Sequence, residues 1–201
     1  MVILNLRQKQ NIYTTTMSFK MMDFIMEGNR KYEFGCAMLY FDFPQMFKIQ
    51  DAIDPDDVYE DPDDDSFGFE TEPHITLLFG LHKDVTDEQV EDIVTKFVYG
   101  PITLSKLSTF DNPDYDVLKF DIPNTSSGAG FLYKANKDLV KLPHTNEFDY
   151  HPHMTVAYLK KGTGKKWVKK LKSQEYTLTP KYAKFSKPNK ESKKFKIRVS
   201  K

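Results

Sequence analysis

Residues 34–43 (FGCAMLYFDF) form an almost unbroken apolar run, which predicts a buried strand. Residues 72–80 (EPHITLLFG) and 151–159 (HPHMTVAYL) start polar, alternate once and end apolar, and both predict strands. After the first of these, Val90, Ile93, Val94 and Phe97 recur at helical spacing. Thr86 with Gln89 supplies a capping box, Val85 with Val90 a hydrophobic staple, and Gly100-Pro101 an end. Residues 102–110 and 115–122 alternate and predict a β-hairpin around Asn112-Pro113. Phe131, Leu132, Ala135, Leu139 and Leu142 predict a helix over 129–142, and Trp167, Val168 and Leu171 mark one side of a second, basic helix. Two strand-like segments, YTLTPKYAKFS and KFKIRVS, close the chain. The order predicts an α+β, bilobal fold: two small facing antiparallel sheets with outer helices.

The two histidine strands align without gaps. Pro73 matches Pro152, His74 matches His153, Thr76 matches Thr155, Leu77 matches Val156 and Phe79 matches Tyr158. The histidines lie 79 residues apart, too far for a short solenoid repeat, so the pattern implies a duplicated lobe with an internal pseudo-twofold.

Composition adds bounds. At 201 residues the chain suits one domain of two lobes over 17–201, with residues 1–16 as an N-terminal arm. The formal net charge of zero hides a division: residues 1–100 carry 8 Lys+Arg against 20 Asp+Glu, residues 101–201 carry 21 against 9. An anionic partner is thus expected on the C-terminal half. The single cysteine, Cys36, predicts no disulfide and a small buried side chain. Without a membrane-length apolar stretch or a signal-peptide core, the protein is expected in the cytoplasm, with no membrane partner. Residues 54–65 are acidic and proline-punctuated. Asp61, Asp63, Asp65, Phe67, Phe69 and Glu72 fall at calcium-loop positions, but Ser66 stands where that loop requires glycine. The segment is therefore read as a solvated insertion.

Strand geometry turns residues i and i+2 to one face, so His74 pairs with Thr76 and His153 with Thr155. If the lobes face each other, two imidazoles and two hydroxyls share a cleft. In-line substitution at phosphorus needs a base on one side and an acid on the other. Imidazoles titrate near neutrality, and threonine hydroxyls can donate to the non-bridging oxygens. The catalytic set is therefore His74, Thr76, His153 and Thr155. His82 and His144 read as loop residues and His151 as structural. No H-x-x-x-H or H-x-x-E-H pattern is present, so neither a metal nor a cofactor is expected.

The two H-x-T motifs, HIT at 74–76 and HMT at 153–155, resemble those that define the 2H phosphoesterases, over roughly residues 32–200. GCAMLYFDFP, EPHITLLFGLH and YHPHMTVAYLKKG are further similar to a group of tailed-phage proteins, the anti-CBASS cyclic-oligonucleotide phosphodiesterases. The resemblance implies metal-independent cleavage of 3′–5′ bonds in cyclic di- and trinucleotides that signal bacterial immunity, in the host bacterial cytoplasm, without a stable nucleic-acid partner. It implies base stacking, for which Tyr40, Tyr158 and Trp167 are the candidates, although each also suits core packing. Lys160, Lys161, Lys165 and Lys166 could hold phosphates or form a solvated face. Another 2H chemistry, on RNA 2′,3′-cyclic phosphates or 2′,5′-oligoadenylate, remains open, as does a non-catalytic nucleotide sponge.

Overall fold

β1 (Gly35–Phe41) buries Ala37, Leu39 and Phe41 on one face, as its apolar run predicts, and pairs antiparallel with β2 (His74–Leu81). The computed structural model describes residues 34–200 except 65, 126, 127, 147, 173, 189 and 190; the expected arm, residues 1–16, lies outside the described residues. Between these strands, α1 (Pro44–Gln50) starts on a proline in its first turn and buries Met46 and Gln50. α2 (Asp87–Val94) has the expected capping box, with Thr86 Oγ1 accepting from Gln89 N and Gln89 Oε1 accepting from Thr86 N. Next come β3 (Val98–Tyr99), β4 (Ile102–Leu104), β5 (Leu107–Asp111), β6 (Tyr115–Asp121) and α3 (Ala129–Leu139). Then follow β7 (His153–Lys160), α4 (Gly164–Leu171), β8 (Tyr176–Leu178), β9 (Pro180–Ser186), β10 (Ser192–Phe195) and β11 (Arg198–Val199).

Two antiparallel sheets carry the architecture, in the orders β10-β9-β1-β2 and β5-β6-β7. β4 pairs with β8 and β3 with β11, the latter in parallel. One hydrophobic cluster joins both halves, including Leu39, Ile75 and Leu77 from one and Phe120, Met154 and Val156 from the other. None of the helices among the described residues is long and apolar enough to cross a membrane.

Four elements differ from the sequence pattern in three ways. The run 102–110 breaks at Ser105, whose N–H and hydroxyl both donate to Asp121 O, so only 107–111 enters the hairpin. α2 and α3 stop at Val94 and Leu139, earlier than their apolar spacing implies. The acidic segment is the third case: residues 54–56, 60, 62 and 63 are exposed, as a solvated insertion would be, but the segment also pairs with β7. Val58 bridges Leu159, Phe69 bridges Ala157, and Tyr59 N donates to Tyr158 O at 3.0 Å, so residues 58–59 and 68–70 form a strap on the free edge of β7. A second strap, from residues 143–146 and 148–150, does the same for β2. Leu81 bridges His144, Thr145 N donates to Gly80 O at 3.0 Å, and Tyr150 Oη donates to Thr76 O at 3.0 Å. Each half thus protects the histidine strand of the other, at an edge that would otherwise be open to pairing.

Candidate active site

Both histidine strands bury the same positions. Ile75 and Leu77, like Met154 and Val156, are fully inaccessible, while His74, Thr76, His153 and Thr155 are half-buried on the opposite face. Each imidazole is then oriented by the backbone two residues upstream. His74 Nδ1 lies 2.8 Å from Glu72 O, and His153 Nδ1 lies 2.8 Å from His151 O. A carbonyl only accepts, so Nδ1 carries the hydrogen in both rings and Nε2 is left for chemistry. Pro73 and Pro152 sit between donor and acceptor, and their fixed φ pre-sets this short contact. That is the physical sense of a proline before each histidine.

The surroundings of the two rings differ. Tyr40 pairs across the strands with His74, its ring 5.5 Å away, and Glu70 Oε2 lies 3.5 Å from His74 Nδ1. Asp121 pairs with His153, and the Phe110 ring meets that imidazole edge-on at 4.9 Å. Burial pulls the His153 pKa down to about 4, and the cations of Lys119 and of a protonated His74 add to that, so His153 is neutral at pH 7. Thr76 and Thr155, which share a strand face with His74 and His153 respectively, both line one cavity.

A cavity of about 400 Å³ opens beside them, walled by Thr76, His153, Thr155, Phe110, Tyr115 and Tyr158 among others. Phe67 on the first strap and Phe148 on the second complete its sides. Its size and mostly apolar wall are those of a small-molecule site. No lysine or arginine is among the described residues of that wall, whose polar groups include His151, His153, Ser66, Thr76 and Thr155 together with Asp64, Asp149 and the amides of Asn112, Asn136 and Asn146.

The structure brings Thr76, His153, Thr155 and Tyr158 to the cavity wall; His74 is not on that wall, its ring lying against Tyr40. Tyr40 is 5% exposed, stacked on Tyr182 with ring centroids 5.0 Å apart, and packs on His74 instead of lining the cavity. Trp167 is not brought there. It is 1% exposed, and its Nε1 donates to Asp57 Oδ2 at 2.7 Å, because the apolar side of α4 packs down on β5 and β6. The lysine run is likewise spent elsewhere: Lys160 on Asp56 O, Lys161 on Asp111, Lys166 on Asp57. Cys36 is half-buried on the cavity wall, and burial pushes its thiol up to about 12, so it stays protonated. His151, read as structural, also lines the cavity. Phe67, Phe110 and Tyr115 escaped the sequence reading; the only signal was an aromatic on either side of the Asn112-Pro113 turn.

No protein-family model matches the chain, and no curated protein matches it. Among solved structures, Usb1 of Kluyveromyces marxianus is similar over 82% of this chain and 98% of its own, at 10% identity and a TM-score of 0.50. The same protein with uridine monophosphate gives 11% identity, the same coverage of 82% and 98%, and a TM-score of 0.50. The chain has the 2H phosphoesterase fold. LigT of E. coli complexed with 3′-AMP is also similar, at 14% identity, 83% and 97% coverage and a TM-score of 0.47.

Proposed function

We propose that this 2H-fold protein is a phosphodiesterase that opens 3′–5′ linkages in cyclic di- and trinucleotides, a phage product that removes the messenger of host CBASS defence. The observation that carries the reading is the matched pair of imidazoles, each with Nδ1 held by a backbone carbonyl, on strands that face each other beside a nucleotide-sized aromatic cavity. The sequence similarity of the three flanking segments supports the phage assignment.

In this reading neutral His153 is the base and His74 the acid. Nε2 of His153 takes the proton of the ribose 2′-OH, or of water, as that oxygen forms its bond to phosphorus. The P–O5′ bond breaks, and His74 Nε2 gives its proton to the departing O5′. Thr76 and Thr155 donate to the non-bridging oxygens, where negative charge grows. Both proton transfers are supplied by side chains. Residues 17–201 act as one bilobal unit.

Chromatography of reactions with cyclic trinucleotides, cyclic dinucleotides, RNA ending in 2′,3′-cyclic phosphate and 2′,5′-oligoadenylate, all in excess EDTA, tests this. Linear products from the cyclic compounds are expected, and their loss in His74→Ala. Turnover of only the last two substrates would replace the reading with RNA-end or oligoadenylate chemistry. Intact recovery of tightly bound ligand would make the protein a sponge.

A further inference from the structure

β2 and β7 belong to different sheets, and among the described residues no backbone ladder joins them. The separation of the two imidazoles must therefore be set by other contacts. Both strands carry an extra residue at the same place, the third after the histidine. The pairing passes from Met38↔Thr76 to Ala37↔Leu78, skipping Leu77. It passes in the same way from Lys119↔Thr155 to Leu118↔Ala157, skipping Val156. Such a bulge drops its extra residue out of the ladder and re-aims the strand. It explains why Leu77 and Leu78 are both buried, as are Val156 and Ala157, against strict alternation.

Each bulge carbonyl accepts from a side-chain amide carried by a helix of the opposite half. Gln50 Nε2, at the end of α1, donates to Val156 O at 2.8 Å. Asn136 Nδ2, on α3, donates to Leu77 O at 2.8 Å. Gln50 is 6% exposed, and the same nitrogen donates to Glu70 O at 2.8 Å, tying the first strap to the bulge. Both N–H groups of that amide are thereby used. A buried amide lost from such a pair would leave carbonyls short of a donor, so each side chain is held in one orientation.

We propose that Gln50 and Asn136 are a pseudo-symmetric pair of positioning residues that clamp the two histidine strands crosswise, each setting the imidazole of the other half against its partner. α1 and α3 occupy equivalent places, between β1 and β2 and between β6 and β7, so the clamp is duplicated with the lobes. The kinetic part of this inference rests on the histidines acting as acid and base; the geometric part does not.

The test uses Gln50→Met and Asn136→Leu, which keep bulk and remove the donors. NMR of the imidazole Cε1–H signals is read across a pH titration, beside kcat and KM on whichever panel substrate is turned over. Gln50→Met is expected to move the His153 signals and leave those of His74, and Asn136→Leu to do the reverse. Each should lower kcat by about 10- to 100-fold, the loss a small misplacement of a reacting group causes. KM in Gln50→Met should stay within about twofold, since the buried amide cannot touch substrate. Unchanged ring signals and kcat in a folded variant, or equal shifts of both histidines, would overturn the proposal. Should Gln50→Met not fold, the ring signals of Asn136→Leu decide, because Asn136 also lines the cavity and its kcat alone does not separate positioning from contact. If no panel substrate is turned over, the ring signals still decide, so failure of the phosphodiesterase reading is told apart from failure of the clamp.

Discussion

A carbonyl two residues before each histidine holds Nδ1–H, which leaves Nε2 of either ring as the atom that can exchange a proton with a ligand. Replacing His74 or His153 by alanine should each lower kcat by about two to four orders of magnitude on the cleaved substrate, measured by steady-state kinetics. Thr76→Val and Thr155→Val should lose less, because a hydroxyl stabilises charge without moving the reacting proton. The pH dependence carries a sign. A base works unprotonated, and burial holds His153 at about 4, below the ordinary imidazole range. The acidic limb of the kcat/KM profile should therefore lie below about pH 5, where this ring protonates. A decline already centred near the ordinary histidine pKa of about 6.5 would show that His153 is not the base.

At the scale of elements, the straps decide the shape of the cleft. Gly80, where the second strap meets β2, has φ of 97°, and a Cβ there would lie 3.0 Å from Asn146 N. Gly80→Ala should cost about 1–2 kcal/mol in urea unfolding, from left-handed strain and the crowded strap. Trp167→Phe removes the indole donor to Asp57, which keeps Lys166, and should cost about 1 kcal/mol. It should leave kcat unchanged, because the ring is not on the cavity wall; a large loss of kcat would mean that Trp167 does touch substrate. The histidine strands and the α2 cap were legible in the sequence because their signals are local: period-two alternation and a Thr-x-x-Gln spacing. The straps were not, since isolated bridges such as Val58 to Leu159 link distant segments and leave no periodicity. α1 is seven residues long, too short for a helical repeat to stand out. The cavity aromatics come from both straps, a hairpin, β2 and β7, which only the fold assembles.

Over the whole molecule, the two halves are interlocked instead of merely apposed. The acidic N-terminal half sends its strap and Gln50 to β7, and the second half sends its strap and Asn136 to β2. The opposite charges of the halves are partly spent on this joining, in pairs such as Lys166 with Asp57 and Lys184 with Glu72. Such an arrangement makes the two imidazoles one unit, and a unit has a kinetic signature. Groups that act together on one bond do not lose activity independently, so removing both should cost little more than removing one. The decisive measurement is kcat for His74→Ala, His153→Ala and the double variant on the same cyclic dinucleotide, with EDTA present. The double variant is expected to be no slower than the slower single one. Losses that multiply, or a single variant as active as the parent protein, would contradict a shared site.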